Sequence, residues 1–219
     1  MTREAIGRTA ERLLEAAGFL ISYTGGPALP WLASQGFAAK RDATDQKSVV
    51  FSFADKSLVL ETKKRAAGLL LSEKDVFSFS RIRIEWGVDM FPVGASYLTG
   101  ARSEAVMVIV FFSSKKLPSG SLLIPDSPYF IGLFLCEKDP IDEAFNGRYF
   151  QAGGRYVCVD HATVGKSVVS DYPIAAAFRR FFGNDEVPPI SGIGISIDTE
   201  SAKGSGAAKA FIRKIEFVK

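Results

Sequence analysis

Arg81-Ile82-Arg83-Ile84-Glu85-Trp86-Gly87-Val88 alternates by twos. Ile82, Ile84, Trp86 and Val88 fall on one side of an extended chain, and Arg81, Arg83 and Glu85 on the other. Successive side chains of a strand point to opposite faces. The stretch therefore predicts a strand with one face in a core and one in water.

The same period extends outward from it. Residues 48–53, 57–62 and 68–71 are short apolar segments bounded by turn residues or charge. Residues 105–112 form a continuous apolar run rich in β-branched and aromatic side chains, which predicts a central strand covered on both faces. Residues 129–136 and 156–159 read the same way. Two closing strands are expected at 193–197 and 207–217, with a Gly/Ser/Lys turn at 203–206.

Helical spacing occurs twice. Over 3–20, Ile6, Ala10, Leu13, Leu14 and Ala17 recur at helical intervals between charged residues, with Thr2 as N-cap. A helix over 174–182 is stopped by Gly183 and then by Pro188-Pro189. The segment 25–30 reads as a loop ending at Trp31, which anchors the chain on the sheet. Many short strands with few helices predict an all-β sandwich. The expected organisation is an N-terminal helix over 1–25 packed on a sandwich of residues 26–219.

Composition agrees. The 219 residues suffice for one large domain, and 18 phenylalanines suit a core between two stacked sheets. A net charge of +3, with basic runs only two or three residues long, argues against a nucleic-acid partner. No run approaches the roughly 20 apolar residues of a membrane span. As written the chain reads as cytoplasmic, or as periplasmic if an export signal has been trimmed. Cys136 and Cys158 lie in apolar, strand-like surroundings, and without a CxxC motif or a Cys/His cluster no structural zinc site is expected. They are either one disulfide or two buried thiols.

Five blocks in order resemble an uncharacterised bacterial family. They are Leu58-Val59-Leu60-Glu61 with Ala67-Gly68-Leu69; Arg81–Trp86 with Phe91-Pro92-Val93-Gly94-Ala95; Val106–Phe112; Ala177–Gly183; and Ile193–Glu200 with Ala207–Phe217. The resemblance spans roughly residues 30–217 and implies a galactose-binding-like jelly roll. It implies no activity. It also implies positions that this chain has changed: a tryptophan at Ile84, and polar residues at Met107, Ala177, Lys214 and the stretch Arg102-Ser103-Glu104.

Few residues offer chemistry. His161 is the only histidine, and adjacent Asp160 would face the other way on a strand. Asp139, Asp142 and Glu143 cluster in a loop where turn formation explains them. No phosphate-binding glycine loop is present. Asp198 and Glu200 are candidate metal ligands, with calcium the cation such oxygens favour; Lys214 counts against it. The candidate ligand-binding residues are Arg81, Arg83, Glu85, Arg102 and Glu104. If brought together they form a trough for sugar hydroxyls or carboxylates. Otherwise they are a solvated face with cross-strand ion pairs. The expected function is a non-catalytic module binding carbohydrate. The alternatives are a structural subunit with a protein partner, or a polysaccharide lyase or hydrolase.

Overall fold

The computed structural model describes residues 18–20 and 27–219. They form two sheets face to face. The strands are β1 (Gly18–Leu20), β2 (Phe37–Arg41), β3 (Val49–Ala54), β4 (Ser57–Thr62), β5 (Ala67–Ser72), β6 (Arg81–Met90), β7 (Glu104–Leu117), β8 (Ser127–Cys136), β9 (Ala144–Phe145), β10 (Gly154–His161), β11 (Ser167–Tyr172), β12 (Ile190–Asp198) and β13 (Ala208–Val218). One sheet has six strands in the order β11-β6-β13-β4-β3, with β1 also paired to β13. The other has seven, in the order β2-β5-β12-β7-β8-β10-β9.

The topology is a jelly roll. The antiparallel pairs β4–β13, β5–β12, β6–β11 and β7–β8 nest one inside the next, as in a long hairpin rolled up. Successive pairs fall alternately in the two sheets. Strands β1, β2, β3, β9 and β10 widen this frame.

The alternation read from β6 holds. Ile82, Ile84, Trp86 and Val88 are fully buried. They face Val106, Val108, Val110 and Phe112 of β7 and Ile193, Ile195 and Ile197 of β12 within one core. The Trp86 indole N–H donates to Ser170 Oγ at 2.9 Å.

Helix α2 (Ile174–Phe182) ends at Gly183, whose φ of 64° makes the left-handed cap. Phe178 is fully buried from this helix, its ring centroid 4.6 Å from that of Phe112.

Two expectations fail locally. Residues 25–30 are not all loop, because helix α1 spans Ala28–Ser34. Pro30 sits in its first turn, where a missing N–H costs nothing. Trp31 therefore reaches the sheet from a helix, its ring edge 5.0 Å from Phe53 of β3. The helix expected over 3–20 lies, for residues 3–17, outside the described residues. Its last three residues, Gly18–Leu20, form β1 on β13 instead. Edge pairing there satisfies backbone groups that a frayed helix end would leave open.

The β12–β13 turn requires a glycine at one point. Gly206 has φ of 79°, and a Cβ there would lie 2.5 Å from the backbone nitrogen of Arg65. Its carbonyl accepts the Thr62 hydroxyl at 2.9 Å. Gly206→Ala is expected to cost about 1–3 kcal/mol, read as a lower urea midpoint at unchanged slope.

Candidate functional site

The charged face of β6 is a ladder of answered charges. Arg81 Nε is 2.6 Å from Asp171, and Arg83 is 3.1 Å from Asp171 and 3.5 Å from Glu216. Glu85 is 3.1 Å from Arg213, and Lys214 closes on Glu216. The Arg81 and Arg83 guanidiniums hold the Asp171 carboxyl below the usual range by hydrogen bonding to it. Exposed pairs of this kind contribute little stability, and each carboxylate already has its cation.

The expectation that Arg102 and Glu104 join this face is corrected. Glu104 opens β7, in the other sheet, and Arg102 lies just before it. The two sheets of the sandwich present their outer faces in opposite directions, so sequence proximity to β6 brought no spatial proximity. Lys214 likewise stands in the six-stranded sheet, whereas Asp198 ends β12 in the seven-stranded one.

Glu104 belongs to a different constellation. It pairs across the ladder with Asp198. It is only 5% exposed, accepting a hydrogen bond from the Tyr97 hydroxyl at 2.7 Å and one from Ser196 Oγ at 3.3 Å. Burial, then the charge of Asp198, pushes the Glu104 carboxyl up to about 8, against the pull of those two hydroxyls. Asp198 is also raised, again chiefly by burial, while the Glu200 N–H and Arg41 oppose the rise. Two buried carboxyls on paired strands resist carrying two negative charges at once, so Glu104 keeps its proton into the neutral range.

Asp198 and Glu200 do come together, but around a guanidinium. Arg41 at the end of β2 is 3.3 Å from Asp198 and 2.8 Å from Glu200. The Glu200 N–H donates to Asp198 Oδ1 at 2.9 Å. Thr199 turns inward, its hydroxyl serving the backbone of Ala66 and Lys64. The metal reading thus meets a cation already supplied by the chain. Arg41 itself has φ of 55°, which for a non-glycine residue costs about 1–2 kcal/mol. The strained residue is thus the one that carries the cation between the two carboxylates.

Beyond this cluster the outer face of the seven-stranded sheet is apolar. Register aligns Leu69 with Ser196, Leu71 with Gly194, and Gly194 with Ile109. Ile109 then pairs with Gly132, and Gly132 with Tyr156. Leu69, Leu71, Ile109, Phe111 and Tyr156 are all half-buried, so each shows part of its apolar surface. Gly132 keeps the row low: a Cβ there would lie 2.6 Å from Met107 Sδ.

At one side the β6–β7 loop folds over the sheet. Asp139 is the clamp, accepting the Ser96 hydroxyl at 2.6 Å and the Tyr97 and Leu98 N–H groups at 2.8 and 3.4 Å. This seats Tyr97 on Phe134, with stacked centroids 4.4 Å apart, and beside Tyr156 at 5.4 Å. Beneath, Cys136 and Cys158 form a disulfide joining the parallel neighbours β8 and β10. That settles the pairing the sequence left open. Nearby Arg102 Nε and the Ser103 hydroxyl are buried without a hydrogen-bond partner among the described residues. Glu104 and Ser103 line a small surface cleft with Phe91, Pro92 and Ala95.

Sequence reasoning did not single out Arg41, Tyr97, Ser196 or Tyr156 as site residues. Nothing in a single sequence marks them, because they come from four separate segments. Only Phe111 and Ile109 carried a signal, as outward members of a run read as covered on both faces.

No family model matches this chain. No curated protein matches it either. Among solved structures it is similar to the xyloglucanase domain of NopAA, a type three effector from Sinorhizobium fredii in complex with cellobiose. The identity is 10% over 84% of this chain and 95% of that one, with a TM-score of 0.47. It is similar to the carbohydrate recognition domain of Emp46p, potassium-bound form, at 12% identity over 92% and 95% of the two chains, TM-score 0.43. A mutant of CBM29-2, a family 29 carbohydrate binding module, is similar at 9% identity over 91% and 89%, TM-score 0.39. At such identities and scores these likenesses say nothing about this chain's ligand.

Proposed function

We propose that this protein is a non-catalytic module that binds carbohydrate on the outer face of the seven-stranded sheet. One observation carries the reading. The half-buried row of Leu69, Leu71, Ile109, Phe111 and Tyr156 ends at the charged group of Arg41, Asp198 and Glu200. A sugar ring has apolar C–H faces and a rim of hydroxyls. The row offers low, flat surface to the faces, and the charged group offers donors and acceptors to the rim.

Catalysis fits the geometry less well. A glycosidase needs two carboxyls facing each other across the scissile bond. Glu104 is sealed beneath Tyr97, and Glu200 is held by Arg41.

A glycan array followed by calorimetry tests the proposal. Ile109→Glu and Arg41→Ala are each expected to weaken saccharide binding at least tenfold. Arg83→Ala, in the opposite sheet, is expected to leave it unchanged. Binding lost in Arg83→Ala but retained in Ile109→Glu would move the site to the other face. No binding to any saccharide would remove the reading.

A further inference from the structure

The seven-stranded sheet assembles a donor group that chain order hides. Cys136 ends β8, Cys158 lies in β10 and His161 ends β10. One sulfur or nitrogen from each lies within 4.8 Å of the others. The Asp139 carbonyl oxygen abuts the same group, 3.3 Å from Cys136 Sγ and 2.8 Å from His161 Nε2. The sequence contains no zinc motif, because these four positions span 26 residues counted from Cys136 to His161 without CxxC spacing. The parallel pairing of β8 with β10, which sets Cys136 opposite His161, is what gathers them.

We propose that the reduced form of this protein binds one divalent cation of the zinc class through Cys136, Cys158 and His161. Two thiolates and an imidazole are the donor set such a cation favours, with the fourth position left to water or to the Asp139 carbonyl. Zinc–sulfur and zinc–nitrogen bonds of about 2.3 and 2.0 Å place ligand atoms roughly 3.5–4 Å apart. Once the S–S bond is broken, side-chain rotation is enough to reach that spacing. Both cysteines are buried and His161 is exposed, so the cation enters from the His161 side.

The chemistry balances with a dithiol as reductant. Two electrons and two protons pass to Cys136 and Cys158, and the dithiol becomes a disulfide. Cation binding then releases those two protons as the sulfur–metal bonds form. Disulfide and metal are mutually exclusive states of the same sulfurs. Asp139 makes the site more than chance proximity. Its carboxylate is fixed by Ser96, Tyr97 and Leu98, so the backbone carrying its carbonyl is held in place beside His161. The proposal stands independently of the carbohydrate reading.

The experiment is anaerobic titration of the intact protein with cobalt(II), before and after dithiol reduction and removal of the reductant. The reduced protein is expected to develop a thiolate-to-cobalt charge-transfer band that saturates at one equivalent and is abolished by zinc. The oxidised protein is expected to show none. His161→Ala is expected to weaken zinc binding at least tenfold, and Cys158→Ser to lose the charge-transfer intensity of one thiolate. A reduced protein without the band overturns the proposal, as does a His161→Ala variant that binds zinc as tightly as the parent. So does a reduced protein that loses its near-ultraviolet dichroism and does not regain it with zinc.

Discussion

Trp86→Ala is expected to destabilise the fold by about 3–5 kcal/mol, the largest loss from any single side chain considered. The indole is fully buried on β6, which lies in the six-stranded sheet between the edge strand β11 and β13. Alanine would leave a cavity that the rigid strands on either side cannot close. The loss is not only apolar. The indole N–H donates to Ser170 Oγ, whose own hydroxyl donates to Asp160. Removing the ring leaves Ser170, which is 2% exposed, short of a partner in a dry interior. Trp86→Phe fills most of the volume but lacks the donor, so it is expected to lose about 1–3 kcal/mol. Urea unfolding followed by far-ultraviolet dichroism reads both. A Trp86→Ala loss below about 1 kcal/mol would show that the indole does not pack as described.

The second large effect is on pH dependence. The Glu104 carboxyl stands at about 8 in the folded protein, against an ordinary value of 4.5. Its folded value is the higher one, so the folded state holds more protons than the unfolded state between those limits. Stability from this group is therefore complete below pH 4.5 and declines as pH rises through about 8. The decline is on the order of 5 kcal/mol, shared with Asp198 because the two carboxyls titrate together. Glu104→Gln keeps the size of the side chain and an acceptor for Tyr97, but it cannot ionise. Thermal unfolding from pH 5 to 9 is expected to show the parent losing stability relative to Glu104→Gln as pH rises. Parallel curves for the two proteins would exclude a buried Glu104 carboxyl that keeps its proton into the neutral range.

The outer face of each sheet shows how far sequence reading reaches. Along β6 the alternation of isoleucine and arginine placed every side chain on its correct face. Cross-strand ion pairs along the charged row are one of the two readings it leaves open, and Asp171, Glu216 and Arg213 form such pairs with it. Along β7 the same logic stopped short. A run apolar at every position reads as covered on both sides. The structure covers only one side of Ile109 and Phe111 with the core, leaving both half-buried on the other. An apolar surface face and an apolar buried face have the same sequence.

From sequence alone came the strand pattern, the helix over 174–182 and the sandwich, because these follow from the period of side chains along a few consecutive residues. The strand order, the disulfide, the separation of Glu104 from Arg81, and the meeting of Arg41 with Asp198 and Glu200 came only with the tertiary structure. They depend on which strands become neighbours, and residues as far apart as Arg41 and Glu200 are joined by pairing through β5 and β12. Local propensity carries no information about that choice; burial of one common core by both sheets makes it.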